Sequence, residues 1–110
     1  MTGKQRIKNI IDTFNNYNIP VLSAKGDDYS VKNDVNFFFK EIGKRISVDK
    51  YQVWSILFEK HIVAIETWIS KKDLKSEDIR MRIVDAINYL FILWTLIEED
   101  DNATTERIIK

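Results

Sequence analysis

Apolar residues recur at helical spacing along most of this chain, and polar stretches divide them into four segments. The first segment predicts a helix over residues 4–17, which Asn18 weakens and Pro20 closes. We expect a polar loop from there to Ser30. The apolar positions that carry this first helix are Ile7, Ile10, Ile11 and Phe14.

The next two segments predict helices on either side of Ser47. Asn33 or Asp34 can cap a second helix that ends near Ile46, and Ser47 can cap a third helix over residues 48–70. One face of the third helix is apolar and should meet the core, while the opposite face is polar. The predicted core residues are Val53, Trp54, Ile56, Leu57, Ala64, Ile65 and Trp68, and the polar ones are Gln52, Ser55, Glu59 and Glu66.

The last segment predicts the longest helix. A charged turn over residues 71–75 leads to Ser76, a suitable N-cap, and two acidic residues follow it in the positively polarised first turn. This helix should run to about Glu99, and the polar tail from Asp100 should be disordered or form a short extra helix. Together the segments predict one all-α domain over residues 1–110, a helical bundle of about four helices.

Two polar residues interrupt the nearly apolar run between Ile83 and Trp94. Asp85 and Asn88 lie one turn apart on the same helical face, and a buried carboxylate needs a charge partner or several hydrogen bonds. The pair is therefore either a satisfied structural network or part of a ligand site. The same run carries more apolar surface than a small bundle can cover, which predicts that it packs against a second subunit in a homo-oligomer.

Composition narrows the functional classes. Lys plus Arg and Asp plus Glu are 17 each, so no net charge draws the chain to nucleic acid or to a membrane surface. The chain has no cysteine, which excludes disulfides and thiolate sites. No signal-peptide pattern follows the polar N-terminus, and the longest apolar stretch is shorter than the roughly 20 residues of a membrane span. We expect a cytoplasmic protein.

Three groups of polar residues lie in settings where they can meet a ligand. One is in the predicted loop, one in the middle of the third helix, and one on the fourth helix. If the third and fourth helices form an antiparallel hairpin, Lys60 or His61 should face Asp85, because these residues are nearly equidistant from the turn. The candidate ligand-binding residues are Lys25, Asp28, Tyr29, Lys60, His61, Arg80, Arg82, Asp85 and Asn88.

The order of these elements resembles the MazG-like all-α nucleotide pyrophosphatases, and in particular the phage proteins of the nucleotide-modification-associated variety. The residues that carry the resemblance span about residues 25–99. They are Lys25-Gly26-Asp27-Asp28-Tyr29-Ser30, Asn36-Phe37, Lys60-His61, Ser76-Glu77 and Arg82-Ile83-Val84-Asp85-Ala86-Ile87-Asn88-Tyr89. The resemblance implies an oligomeric helical bundle, encoded by a phage and located in the host cytoplasm, with a site that accommodates a nucleotide.

The chain departs from the enzymes of this group at their metal ligands. Catalytic members hold Mg²⁺ through a Glu-Glu-x-x-Glu run and a Glu-x-x-x-Asp pair; here Asp85 matches the aspartate, but Met81 stands where the glutamate belongs. No Glu-Glu-x-x-Glu run exists in this sequence. Mg²⁺ needs only one or two carboxylates when phosphates supply other ligands, so a bound Mg²⁺ stays open. We assign no catalytic residue.

These residues favour binding without turnover. In this hypothesis the protein binds or sequesters a nucleotide or a cyclic-nucleotide signal, which in a phage would counter host defence. Lys25, Lys60, Arg80 and Arg82 meet phosphate, and Tyr29 stacks on a base or ribose. Asp85 and Asn88 read polar edges or position the basic groups. Two alternatives remain: a divergent Mg²⁺-dependent nucleotide pyrophosphatase, and a protein-interaction inhibitor of a host enzyme.

Overall fold

The computed structural model describes residues 1–23, 36–73 and 78–109, with side chains up to residue 102. These residues form four helices and no strand, which confirms the predicted all-α bundle. The predicted caps Asn33 and Asp34 lie outside them. The helices are α1 (Gly3–Thr13, continued by a π-helical turn, Phe14–Asn18, and by residues 19–23), α2 (Phe37–Ile46), α3 (Lys50–Lys71) and α4 (Ile79–Ile109).

α1 begins at a capping box and ends later than predicted. The Thr2 hydroxyl accepts a hydrogen bond from the Gln5 N–H, and the Gln5 side chain accepts one from the Thr2 N–H. The predicted loop from Asn18 is wrong in its described part, because Asn18 is buried in the π-helical turn and the backbone stays helical to residue 23. The widened turn precedes Pro20 and relieves the clash between the proline ring and the carbonyl four residues before it.

Ser47 ends α2 and does not start α3. Its backbone is left-handed, with φ of 56°, and its N–H bonds to the carbonyl of Gly43. The N-cap of α3 is Asp49, whose side chain accepts from the Tyr51 N–H over 2.8 Å. The predicted cap at Ser47 is wrong, because the chain must reverse direction between the two helices before α3 can begin.

The core lies where α2, α3 and α4 meet. Phe39, Val53, Trp54 and Leu96 are buried there together, and half-buried apolar residues surround them. Most of the predicted apolar face of α3 is buried or half-buried, and its predicted polar face is exposed. Ile56 is the error: it is 63% exposed, because at 100° per residue it points away from Trp54, on the opposite side of the helix.

α4 begins and ends differently from the prediction. It starts at Ile79, and Asp78 caps it by accepting from the Arg80 N–H over 2.7 Å; the predicted cap Ser76 lies outside the described residues. The expected end at Glu99 and the separate tail are wrong, since one helix of 31 residues continues to Ile109.

Contacts with α2 and α3 accompany this extension of α4. Asn36 and Lys40 both bind the Glu99 carboxylate, while Lys50 and the Tyr51 hydroxyl both bind Asp100. The side chains that the sequence placed at the helix end, Glu99, and at the start of the polar tail, Asp100, are therefore held by the neighbouring helices.

Although α4 is long enough in residues to cross a bilayer, neither it nor any other helix in the described ranges is apolar enough to be a membrane span.

Candidate functional site

α3 and α4 bring one histidine and one arginine into contact. His61 is buried, with 2% of its surface exposed, and its Nδ1 lies 3.2 Å from the Arg82 Nη1. The His61 ring also packs on Tyr89, with ring centroids 4.7 Å apart. His61 therefore meets α4 between Arg82 and Tyr89, which is the depth that the predicted hairpin implies. Asp85 lies between these two residues on the same helical face, and its predicted contact with Lys60 or His61 stays a prediction.

The chemistry of the guanidinium decides which atom accepts at this contact. A guanidinium has only donor hydrogens, so a hydrogen bond here has Nδ1 of His61 as its acceptor. Arg82 stays positively charged at any ordinary pH, so the contact places a positive charge between the two helices.

A second cation reaches the same place from α3. The Lys60 Nζ lies 6.0 Å from the centroid of the Tyr89 ring, a cation–π distance. Trp54 fixes the backbone beneath that ring by donating its indole N–H to the Tyr89 carbonyl over 2.7 Å. Lys60 is exposed, whereas Tyr89, Arg82 and Asp85 are half-buried, so the group faces solvent from one side. We call Lys60, His61, Arg82, Asp85 and Tyr89 the interhelical cluster.

Asn88 has a different role from the one expected of a ligand-reading residue. It is 3% exposed, and its amide exchanges hydrogen bonds with Asn18: Asn88 Oδ1 accepts from Asn18 Nδ2, and Asn88 Nδ2 donates to the Asn18 carbonyl, both over 3.1 Å. The Asn18 amide also donates to the Val84 carbonyl over 3.2 Å. Of the two alternatives left open for Asn88, this geometry favours the structural network.

Asn18 was missed by the sequence reasoning. It follows an asparagine-rich stretch that reads as the end of a helix, and its partner lies 70 residues further along the chain. No local pattern signals a contact at that separation.

Arg80 does not join Arg82. Two residues apart on a helix, the side chains point in nearly opposite directions, and Arg80 is largely exposed with its Nη1 3.6 Å from Asp78. It lies instead on a groove of about 660 Å³ at the turn end of α3 and α4, beside Trp68 and Lys72. The Lys72 Nζ covers the Trp68 ring there, 4.7 Å from its centroid. Arg80 therefore lies apart from Arg82, and its predicted contact with a phosphate stays a prediction.

Three of the candidate residues cannot be placed. Lys25, Asp28 and Tyr29 lie outside the described residues, so their predicted approach to the cluster stays a prediction.

The predicted resemblance implies a magnesium site for catalytic members. Among residues 1–23, 36–73 and 78–102, no three His, Cys, Asp or Glu side chains are grouped so that they could hold a metal ion.

The chain has no significant match among protein-family models, curated protein sequences or solved structures. The resemblance to the MazG-like group therefore stays a prediction, and the interhelical cluster has to be interpreted from its own geometry.

Proposed function

We propose that this protein binds a nucleotide at the interhelical cluster and holds it without hydrolysing it. The observation that supports this proposal best is the pair of cations from different helices, Arg82 and Lys60, set beside the His61 and Tyr89 rings. Phosphate is the anion that such a pair suits, because arginine and lysine donate charge-assisted hydrogen bonds to its oxygens.

Burial increases the effect of the arginine. Arg82 is half-buried between two helices, where the local dielectric is lower than in water and a charge interacts more strongly with an anion. The exposed Lys60 lies at the open side, where it can meet a phosphate first. The half-buried Tyr89 would contact the base or ribose, and Asp85 can accept hydrogen bonds from hydroxyl or amino groups.

The acidic residue of the cluster also favours binding without turnover. Asp85 is the carboxylate of the cluster, and Met81 stands one turn before it, where a second acidic metal ligand would be expected, so binding fits these residues better than metal-assisted hydrolysis. A protein that only holds its ligand lowers the free concentration of that ligand. A signalling nucleotide, including a cyclic one, is the ligand for which such sequestration has a biological effect.

The test is a thermal-shift screen of the purified full chain against mono-, di-, tri- and cyclic nucleotides, with and without Mg²⁺. A ligand that binds only the folded protein stabilises it by about 2.7 kcal/mol at roughly a hundredfold excess over its dissociation constant. We expect Arg82→Gln and Lys60→Gln to lose most of the shift, each measured against its own ligand-free melting temperature.

Arg80→Gln is the matched control, because it removes the same charge from the opposite face of the same helix. It should keep the wild-type shift. Chromatography of the released ligand should return the nucleotide unchanged. The proposal would be contradicted if no nucleotide shifted the melting temperature, or if Arg82→Gln and Lys60→Gln both kept the wild-type shift. Mg²⁺-dependent release of pyrophosphate would instead support the enzymatic alternative.

A further inference from the structure

Most of α1 has no helix to pack on within the described part of the chain. None of Gly3–Thr13 is buried, and α1 contacts the rest of the described structure chiefly through the π-helical turn that continues it. Its amphipathic pattern nevertheless has an apolar side. We call this side the α1 stripe: Ile7, Ile10, Ile11 and Phe14, exposed by 36–68%.

α4 carries a second uncovered surface. At 100° per residue its exposed apolar residues fall within one sector of the helix, opposite the buried Leu96. We call it the α4 stripe: Ile83, Ile87, Leu90, Phe91, Trp94 and Ile97, exposed by 36–65%.

The two stripes form one continuous apolar surface. Phe14 packs edge-on against Phe91, with ring centroids 5.5 Å apart, so the two stripes touch at this contact. Together they expose on the order of 1,000 Å² of side chain, more than the roughly 800 Å² per partner that a standard protein interface buries. Monomeric soluble proteins rarely leave a contiguous patch of that size in water.

We propose that this surface is the interface of a homodimer, in which the α1 stripe of one chain covers the α4 stripe of its partner. A second copy suits this surface because each chain carries both the α1 stripe and the α4 stripe. A two-fold axis then forms the same α1–α4 contact twice and covers both stripes of both chains. This inference is independent of the nucleotide proposal and rests on a different face of α4.

Charge favours the same pairing. Exposed cations flank the isoleucines of α1, at Lys4, Arg6 and Lys8, whereas exposed Glu98 and Asp101 flank the far end of the α4 stripe. Placing α1 on the partner's α4 sets these opposite charges around the apolar contact.

The first experiment measures the mass of the full chain in solution by light scattering. We expect twice the 13.0 kDa of one chain for the wild type. Ile10→Glu and Trp94→Glu should each weaken self-association by roughly thirtyfold or more, the effect of losing an interface hot spot. Both positions are more than half exposed, so the variants should keep the helical circular dichroism of the wild type.

Ile56→Glu is the matched control, since Ile56 is equally exposed, at 63%, but lies on α3 away from both stripes. It should remain dimeric. The proposal would be overturned if the wild type had any mass other than that of two chains. It would also be overturned if both stripe variants remained dimeric.

Cross-linking then tests the pairing itself. The chain contains no cysteine, so introduced thiols react on a clean background. Mixed Ile10→Cys chains and tagged Trp94→Cys chains, treated with a short bis-maleimide, should give mainly the cross-link between unlike chains, and Ile56→Cys chains should give none with either. Cross-links only between like chains would overturn the α1-on-α4 arrangement.

Discussion

Asn18 and Asn88 show how two polar side chains can join distant parts of a small core. Each amide is almost fully buried, and each is satisfied by the other residue. Removing one partner would leave the second unsatisfied, which usually costs about 1–3 kcal/mol. The pair therefore holds the π-helical turn against α4 in one register, where apolar contacts alone would allow sliding.

Gly43 is a second residue with a specific steric role. A Cβ at this position would lie 2.5 Å from the Val48 carbonyl oxygen, and this neighbour is backbone that cannot turn away. We expect Gly43→Ala to destabilise the fold by about 2 kcal/mol, the usual effect of forcing extra volume into a packed site. Urea unfolding followed by circular dichroism measures it.

Gly3→Ala is the matched control for Gly43→Ala. A Cβ at Gly3 meets nothing within 4 Å, so the change should only add helix propensity, by no more than about 1 kcal/mol. Equal stabilities for the two variants would contradict the steric account of Gly43.

At the scale of the elements, the C-terminal part of α4 is joined to α2 and α3 by polar side chains. Lys40 and Asn36 bind Glu99, and Lys50 and Tyr51 bind Asp100. The sequence shows only acidic residues at the end of an apolar run, which is also the pattern of a solvated tail. Only the packing of three helices places cations and a hydroxyl opposite them.

The Asp100 contacts make this junction sensitive to acid. The hydrogen bond from Lys50, and then the one from Tyr51, hold the pKa of Asp100 below its usual 3.8. The contribution to stability is therefore complete above the unfolded pKa of about 4 and is lost as the pH falls through the lower folded value. We expect it to be small, because the side chain is 47% exposed and solvent screens the pair.

Urea unfolding of wild type and Asp100→Asn between neutral pH and pH 2 measures this contribution. The variant should be less stable than the wild type at neutral pH, and the difference should vanish in acid. Asp101→Asn, which removes the exposed neighbouring carboxylate, should leave the acid dependence almost unchanged. A constant difference between wild type and Asp100→Asn across the pH range would show that the carboxylate charge does not matter here.

Tyr51 makes the stability of the same junction depend on alkaline pH, in the direction opposite to that of Asp100. Its hydrogen bond to Asp100, and then burial, raise the pKa of Tyr51 from 10.0 to about 12. A raised pKa means that the folded state retains the phenolic proton more strongly. The contribution is therefore present below pH 10.0 and is lost between 10.0 and about 12.

The whole molecule is elongated, with principal dimensions of 53 × 33 × 23 Å. α4 accounts for most of its length, because 31 residues at 1.5 Å each reach about 46 Å. The other described helices are too short to cover every side of α4. The α4 stripe therefore stays exposed, as does the α1 stripe. The small buried core fits a protomer that completes its folding by association.

If the protomer is half of a dimer, stability must depend on protein concentration. With about 0.7 kcal/mol of unfolding enthalpy per residue over two chains, each tenfold dilution should lower the melting temperature by about 3 °C. Differential scanning calorimetry over a dilution series measures this slope. Trp94→Glu should abolish it while Ile56→Glu retains it, and a wild-type melting temperature independent of concentration would contradict the dimer.

The sequence by itself determined the helical class, the four helices in order and most of the apolar face of α3. These features depend on the local spacing of apolar residues, which is visible in the sequence because positions three and four apart lie on the same face of a helix. The sequence also predicted that the middle of α3 meets this part of α4, where His61 contacts Arg82 and Tyr89, because a helical hairpin places residues equidistant from its turn opposite each other.

Tertiary structure alone decided where the helices end and which polar residues pair. Asn18 stays in a helix because it meets Asn88 on α4, Arg82 meets His61 while Arg80 faces away, and α4 continues past Glu99 alongside contacts from α2 and α3. Helix propensity differs by less than about 1 kcal/mol per residue among ordinary amino acids. The free energies of contacts between residues far apart in the chain are large enough to override helix propensity. They do so at the helix ends and at the polar positions.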